Sequence, residues 1–176
     1  MNNRVPKILL LPALALVLAL GACKPAPQMT DTRAADEAAI HHVLDEIGSR
    51  FGAGDYDGML ALYRDDVIVS APGAPEIIGK DAWRQGLATT MPKGVKLGLR
   101  FNTQELVVAG ELAYERGTYD VEVVDPATKA AQPVASGRHI HIFKREADGS
   151  WKGWRLMENS PDPATAPKIP NQGAKP

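Results

Sequence analysis

The apolar residues of this chain change their period at one point. Before Pro92 they recur at three- and four-residue steps, and from Val95 onward they alternate with polar partners. A chain patterned this way makes helices first and strands second, which is the α+β class rather than an interleaved α/β fold. Ile40, Val43, Leu44, Ile47 and Phe51 form one helical stripe that stops at Gly52 and Gly54. Asp55 can cap a second helix carrying Tyr56, Met59, Leu60 and Tyr63, which Asp65-Asp66 ends ahead of a short strand, Val67-Ile68-Val69. Trp83, Leu87 and Met91 mark a third helix that must finish before Pro92. Val95, Leu97, Leu99 and Phe101 then open a four-strand meander continued by 112–124, 134–144 and 151–159. Ala109-Gly110-Glu111 and Ala147-Asp148-Gly149-Ser150 are its turns, the Asp-Gly pair being the stronger hairpin signal. There is no internal repeat.

The ends of the chain read differently from its middle. Arg4 and Lys7 precede a thirteen-residue apolar run, Ile8 to Leu20, that is too short to span a bilayer and has Pro12 inside it. The pattern is that of an export signal over residues 1–22. Leu20-Gly21-Ala22-Cys23 resembles the lipobox of bacterial lipoproteins, which implies that Cys23, the sole cysteine, becomes the lipidated first residue. Several acyl chains, each buried CH₂ adding about 0.8 kcal/mol, make a stable anchor without help from the protein. Lys24 follows the cysteine where an aspartate would, by resemblance to enterobacterial sorting, retain the protein at the inner membrane. The expected address is the outer membrane, facing the periplasm. Residues 23–33 read as a tether, residues 34–160 as the folded domain, and residues 161–176, with five prolines, as a disordered tail.

Cleavage before Cys23 leaves 154 residues and removes Arg4 and Lys7, moving the formal charge from −1 to −3. A mildly acidic chain lacks the basic excess of a nucleic-acid binder. No second cysteine remains for a disulfide, so the core must hold the domain by itself.

Gly54-Asp55-Tyr56, Tyr63-Arg64-Asp65-Asp66-Val67, Gly79-Lys80-Asp81-Ala82, Gly117-Thr118-Tyr119 and Asp148-Gly149-Ser150-Trp151-Lys152, taken in order, resemble the nuclear transport factor two-like superfamily. That superfamily includes SnoaL-like cyclases, ketosteroid isomerase, scytalone dehydratase, association domains and many small bacterial proteins. The resemblance covers nearly all of residues 34–160. It implies three helices packed in a strongly curved, mostly antiparallel sheet, a cone-like or cystatin-like α+β roll with an internal pocket, commonly dimerising through the outer sheet face. Matching the Gly-Asp and Asp-Asp landmarks to ketosteroid isomerase, whose mechanism uses an Asp base with a Tyr and a protonated Asp, sets the base on Ala71, the tyrosine on Ile47 and the aspartate on His141. An alanine cannot move a proton, so that mechanism is not expected here.

A two-residue turn at Asp148-Gly149 sets His139 opposite Glu158, His141 opposite Leu156 and Phe143 opposite Trp154, all on one sheet face. The resemblance turns this face, and Tyr119, toward the pocket, and leaves Ile140 and Ile142 for a partner subunit. His139, His141 and Glu158 are thus the candidate acid-base residues, and Tyr119, Trp154, His141 and Glu158 the candidate ligand contacts. The same two histidines and carboxylate could hold a metal, yet a hydrogen-bonded polar cluster is the simpler reading, and no metal or cofactor is expected. His41 and His42 point about 100° apart on their helix and cannot share an ion. Of the three tryptophans, Trp83 and Trp151 read as core and Trp154 as a pocket residue. The expected function is binding of a small apolar or amphipathic ligand by a homodimer. A SnoaL-like isomerase, dehydratase or hydrolase and a dimerising adaptor of an envelope assembly are the alternatives.

Overall fold

A computed structural model describes residues 32–91, 95–125 and 127–160. The export signal, Cys23, most of the tether and the proline-bearing tail lie outside the described residues. The chain divides into residues 1–30 and 31–176, and every element described here belongs to the second unit. In chain order these are α1 (Arg33–Ala53), α2 (Tyr56–Ala61), β1 (Tyr63–Ser70), β2 (Ile77–Ile78), α3 (Lys80–Thr90), β3 (Lys96–Ala109), β4 (Leu112–Val124), β5 (Ala131–Arg145) and β6 (Trp151–Asn159). The α+β class is as expected from the change of period.

The helices follow their stripes. α1 buries Ile40, Leu44 and Ile47 and leaves His41 and His42 exposed. Asp55 caps α2, its side chain accepting from the Gly58 amide at 2.9 Å. Tyr63 does not continue that helix. It opens β1 opposite Gly153 of β6, whose amide donates to the Leu62 carbonyl at 3.0 Å. Asp65 and Asp66 therefore lie inside β1, where its pairing shifts between Tyr63 and Ile68, and not at a helix end. Asp65 pairs with Lys80 at 2.9 Å.

The sheet has six strands in the order β2-β1-β6-β5-β4-β3. β3 to β6 form the antiparallel meander, β1 runs parallel beside β6, and β2 pairs antiparallel with β1. β2 is two residues long, too short to leave a periodic signal. Register shifts occur in the β1/β6, β3/β4, β4/β5 and β5/β6 pairings. Bulges bend strands and raise their twist, and the sheet is curved and unclosed, with the helices packed on its inner side.

The last hairpin departs from a two-residue turn, and two departures cancel. Glu146 donates to the Ser150 carbonyl at 2.8 Å and Arg145 pairs with Trp151, so the loop has three residues, with Gly149 at φ 85°. A bulge then inserts Trp154 as an extra residue between the Phe143–Gly153 and Ile142–Arg155 pairs. Beyond it, His139 faces Glu158 and His141 faces Leu156, as expected; Phe143 faces Gly153, not Trp154.

Two apolar clusters fill the inner side. Ile40, Leu44, Ala113, Phe143 and Trp151 form one; Ile47, Met59, Leu60, Tyr63, Val67, Val69, Leu87 and Leu156 form the other, and Phe101 packs against both. The first end is latched. Arg145 donates to both oxygens of Asp36 at 2.6 and 2.7 Å, Trp151 Nε1 donates to Asp36 at 3.2 Å, and the guanidinium lies 4.4 Å over the Trp151 ring. Those bonds, Arg145 first, hold the Asp36 carboxyl well below the usual carboxylate range.

Candidate functional site

The second apolar cluster surrounds a cavity of about 390 Å³, within the range of small-molecule pockets. Helix residues Ile47, Met59, Trp83 and Leu87 wall one side, strand residues Leu99, Phe101, Tyr119 and Leu156 the other. Ile47 and Ala71, which stand where the matched isomerase positions fall, are both on the wall. Among the described lining residues Glu158 is the one carboxylic acid, and burial pushes its carboxyl up from the ordinary value against the pull of His139. A carboxyl whose charge is disfavoured in an apolar cavity can donate a hydrogen bond or hold a proton.

Glycines let two tyrosines reach this site. A Cβ on Gly153 would stand 2.4 Å from the Tyr63 ring, and one on Gly137 would stand 2.6 Å from the Tyr119 hydroxyl and ring. Each aromatic therefore lies flat on a neighbouring strand where any other residue would push it off. Tyr119 lines the cavity as expected. Tyr63, expected on a helix, lines it as well, packed edge-on against Trp83 with ring centroids 4.8 Å apart.

Trp154 is not on the cavity. The bulge places it on the other side of β6, where its indole donates to Asp66 at 3.0 Å beneath the Arg155 guanidinium, 4.0 Å from the ring centroid, with Lys144 at 5.2 Å. The tryptophan on the cavity wall is Trp83.

His139 and His141 point inward, but the partner of His139 is not the expected Glu158. His139 Nε2 lies 2.7 Å from Oε2 of Glu115 on β4, and His141 Nδ1 lies 3.6 Å from the same oxygen. All three side chains are fully buried. Burial by itself would raise the Glu115 carboxyl; the hydrogen bond from His139 and the nearby His141 imidazole, whose Nδ1 has no hydrogen-bond partner, outweigh it and hold it below its ordinary value. An ionised carboxylate only accepts, so His139 Nε2 is the donor. Burial keeps the His141 imidazole neutral, its pKa lowered. Tyr63 Oη sits 3.2 Å from His141 Nε2, and the Phe101 ring abuts both imidazoles edge-on.

Glu115 was absent from the sequence reading, yet a signal for it existed: it shares the parity of Tyr119 along β4, and alternation turns both to one face. Glu115, His139 and His141 also present ligand-type atoms within 4.8 Å of one another. The 2.7 Å between His139 Nε2 and Glu115 Oε2 is a hydrogen-bond separation, and an ion held at about 2.0–2.2 Å by both would need them further apart. The arrangement is that of a proton-sharing cluster.

Known proteins share this architecture. A ketosteroid isomerase-like protein from Erwinia carotovora atroseptica is 23% identical, with a TM-score of 0.59 over 76% of this chain and 99% of that one. An NTF2-like protein with a cystatin-like fold from Novosphingobium aromaticivorans is 18% identical, with a TM-score of 0.62 over 76% and 86%. ActVI-ORFA from Streptomyces coelicolor is 16% identical, with a TM-score of 0.64 over 71% and 96%. Likeness at these identities speaks for the fold alone. No curated protein matches the sequence. The SnoaL-like domain model matches residues 44–154, from the middle of α1 to the bulge of β6 and well over half of the chain, and the protein belongs to that family.

Proposed function

We propose that this domain binds a small apolar molecule carrying one polar group, with the apolar body in the cavity and the polar group at Glu158. The observation that carries the reading is the contrast inside the cavity, where one carboxyl stands among aliphatic and aromatic side chains. Burying apolar surface contributes about 25 cal/mol per Å² and is indifferent to the ligand's identity. A half-buried carboxyl set among such side chains is not indifferent, since its charged form is disfavoured there and a ligand's hydrogen-bonding group answers it.

The address and assembly of the protein belong to the same proposal. Cys23 carries the lipid that holds the domain at the outer membrane, on the strength of Leu20-Gly21-Ala22-Cys23 behind a short apolar run. The domain pairs with a second copy through the outer sheet face, where Tyr114, Ile140 and Met157 are exposed on neighbouring strands. A periplasmic binding domain of this kind would meet apolar compounds at the membrane from which they partition.

Titration with N-phenyl-1-naphthylamine, a neutral apolar fluorophore with one N–H, tests the binding reading. Enhanced fluorescence that saturates at one probe per domain and is lost in Ala71→Leu, which fills the cavity, is the expected result. Equal enhancement in parent and Ala71→Leu would overturn it.

A further inference from the structure

We propose that the cavity selects for positive charge and that its ligand is a lipophilic tertiary amine, held as the ammonium with its N–H donated to Glu158 and its N-alkyl groups against aromatic rings. This rests on the binding reading above and names the polar group that the ligand brings.

The sign of the charge follows from what lines the cavity and what lies behind its wall. Among the described lining residues there is no Lys, Arg or His to receive an anion, and Glu158 is the one carboxyl. Arg116 and Arg138 stand next to Glu115 and His139 in sequence and so alternate to the outer face, where Arg116 donates to Glu105 at 2.6 Å. Behind the wall Glu115 is a second acid. Its carboxyl is held below the ordinary value and is ionised at neutral pH, and its hydrogen-bond partner is the His139 imidazole, with no Lys or Arg paired to it among the described residues. The charges of both acids reach the cavity. Burial first, then Glu158 and Glu115, push the Tyr63 phenol up, and burial, then Glu158, push up the Tyr119 phenol. A cavity bounded by acids and no fixed cation repels a carboxylate or phosphate and draws a cation.

The rest of the wall fits an alkylated cation. Phe51, Tyr63, Trp83, Phe101 and Tyr119 all line the cavity, and aromatic faces are negative. An ammonium whose charge is spread over N-alkyl groups is more weakly hydrated than a primary one, so it is less costly to bring among these rings. The number of donors decides the rest. A primary ammonium carries three, more than one carboxyl accepts, and buried donors left unpaired are costly; a tertiary ammonium carries one. Burial disfavours the charged form of Glu158 in the empty cavity, and an ammonium supplies the missing countercharge. The carboxyl then ionises as the ligand enters, its proton passing to solvent, and an N–H donated to a carboxylate is among the stronger hydrogen bonds.

A series with one naphthyl body and three charges tests this in the intact protein at neutral pH: N,N-dimethyl-1-naphthylmethylamine, 1-naphthylmethanol and 1-naphthoate. The amine should bind about tenfold more tightly than the alcohol, and the carboxylate more weakly than either. Glu158→Gln, which keeps the side-chain shape, should bring the amine down to the alcohol. In the parent protein, and so independently of any variant, NOEs should connect the N-methyl protons with the Tyr119 ring beside Glu158. An amine that binds no more tightly than the alcohol, that keeps its advantage in Glu158→Gln, or whose N-methyl groups show no NOE to Tyr119 would overturn the proposal, and saturable binding of the alcohol would then leave the binding reading standing. A series in which no member binds would end both.

Discussion

The two ends of the sheet's inner side are built from the same strands and end in different states. At one end Phe143, Trp151 and Ala113 pack against Ile40 and Leu44 of α1, and the Asp36–Arg145 pair latches the start of α1 to the end of β5. At the other, the next residues along the same strands, Tyr119, Leu156 and Glu158, face about 390 Å³ of space. Between them lie Glu115, His139 and His141. The difference teaches that this fold separates its tasks by position: the latched end supplies stability, the open end forgoes packing for a ligand, and the polar cluster marks the border.

The separation can be broken from the latched side first. Asp36→Asn leaves Arg145 with the exposed Glu111, 3.7 Å away, as its carboxylate partner and should cost about 3 kcal/mol in urea unfolding, with unchanged probe affinity in the folded protein. Because the folded Asp36 carboxyl is depressed, its contribution is complete above the unfolded value near pH 3.9 and is lost as pH falls below it, so parent and variant should converge in acid. Loss of probe affinity in folded Asp36→Asn would mean that the two ends are coupled.

At the border, Glu115→Gln removes the charge that both histidines address and should cost about 1–3 kcal/mol. Differential scanning calorimetry reads this, and a thermally unchanged variant would show that the cluster contributes nothing to the fold. On the open side Ala71→Leu should gain about 0.5–2 kcal/mol, as cavity-filling changes commonly do, while abolishing probe binding. A destabilised Ala71→Leu would mean that the cavity wall is already closely packed there. The smallest effect belongs outside both ends: Trp154→Phe forfeits one exposed hydrogen bond to Asp66, worth about 1 kcal/mol at most, and leaves binding unchanged. A tenfold change in probe affinity would put Trp154 back on the cavity.

Much of this was legible in the residues, and the misses have identifiable causes. The stripe of α1, the cap at Asp55 and the alternation after Val95 are local signals, and local signals survived folding. Tyr63 stands three residues after Leu60 and satisfies a helical stripe and a strand equally; its pairing with Gly153, ninety residues away, decides, and no local pattern carries that. The β5/β6 register was right at His139 and wrong at Phe143 because a longer turn and a bulge offset each other. Gly153 inside a strand was the available hint of the bulge, since glycine there marks a close backbone approach. Glu115 was hidden for another reason: β4 and β5 meet through a hairpin closed between Asp125 and Ala130, with a bulge between Val121 and Glu122, so no two-residue turn set a partner across the other edge of β5.

The central claim, that the open end takes the ligand and the latched end does not, is tested most directly by methyl and aromatic NMR during titration with 2-naphthol. The account predicts saturable shifts at Ile47, Leu99, Tyr119 and Leu156, weaker affinity in Glu158→Gln, and unmoved signals at Ile40, Leu44 and Phe143. Shifts confined to Ile140 and Met157 on the outer face, or spread equally over both ends, would contradict it.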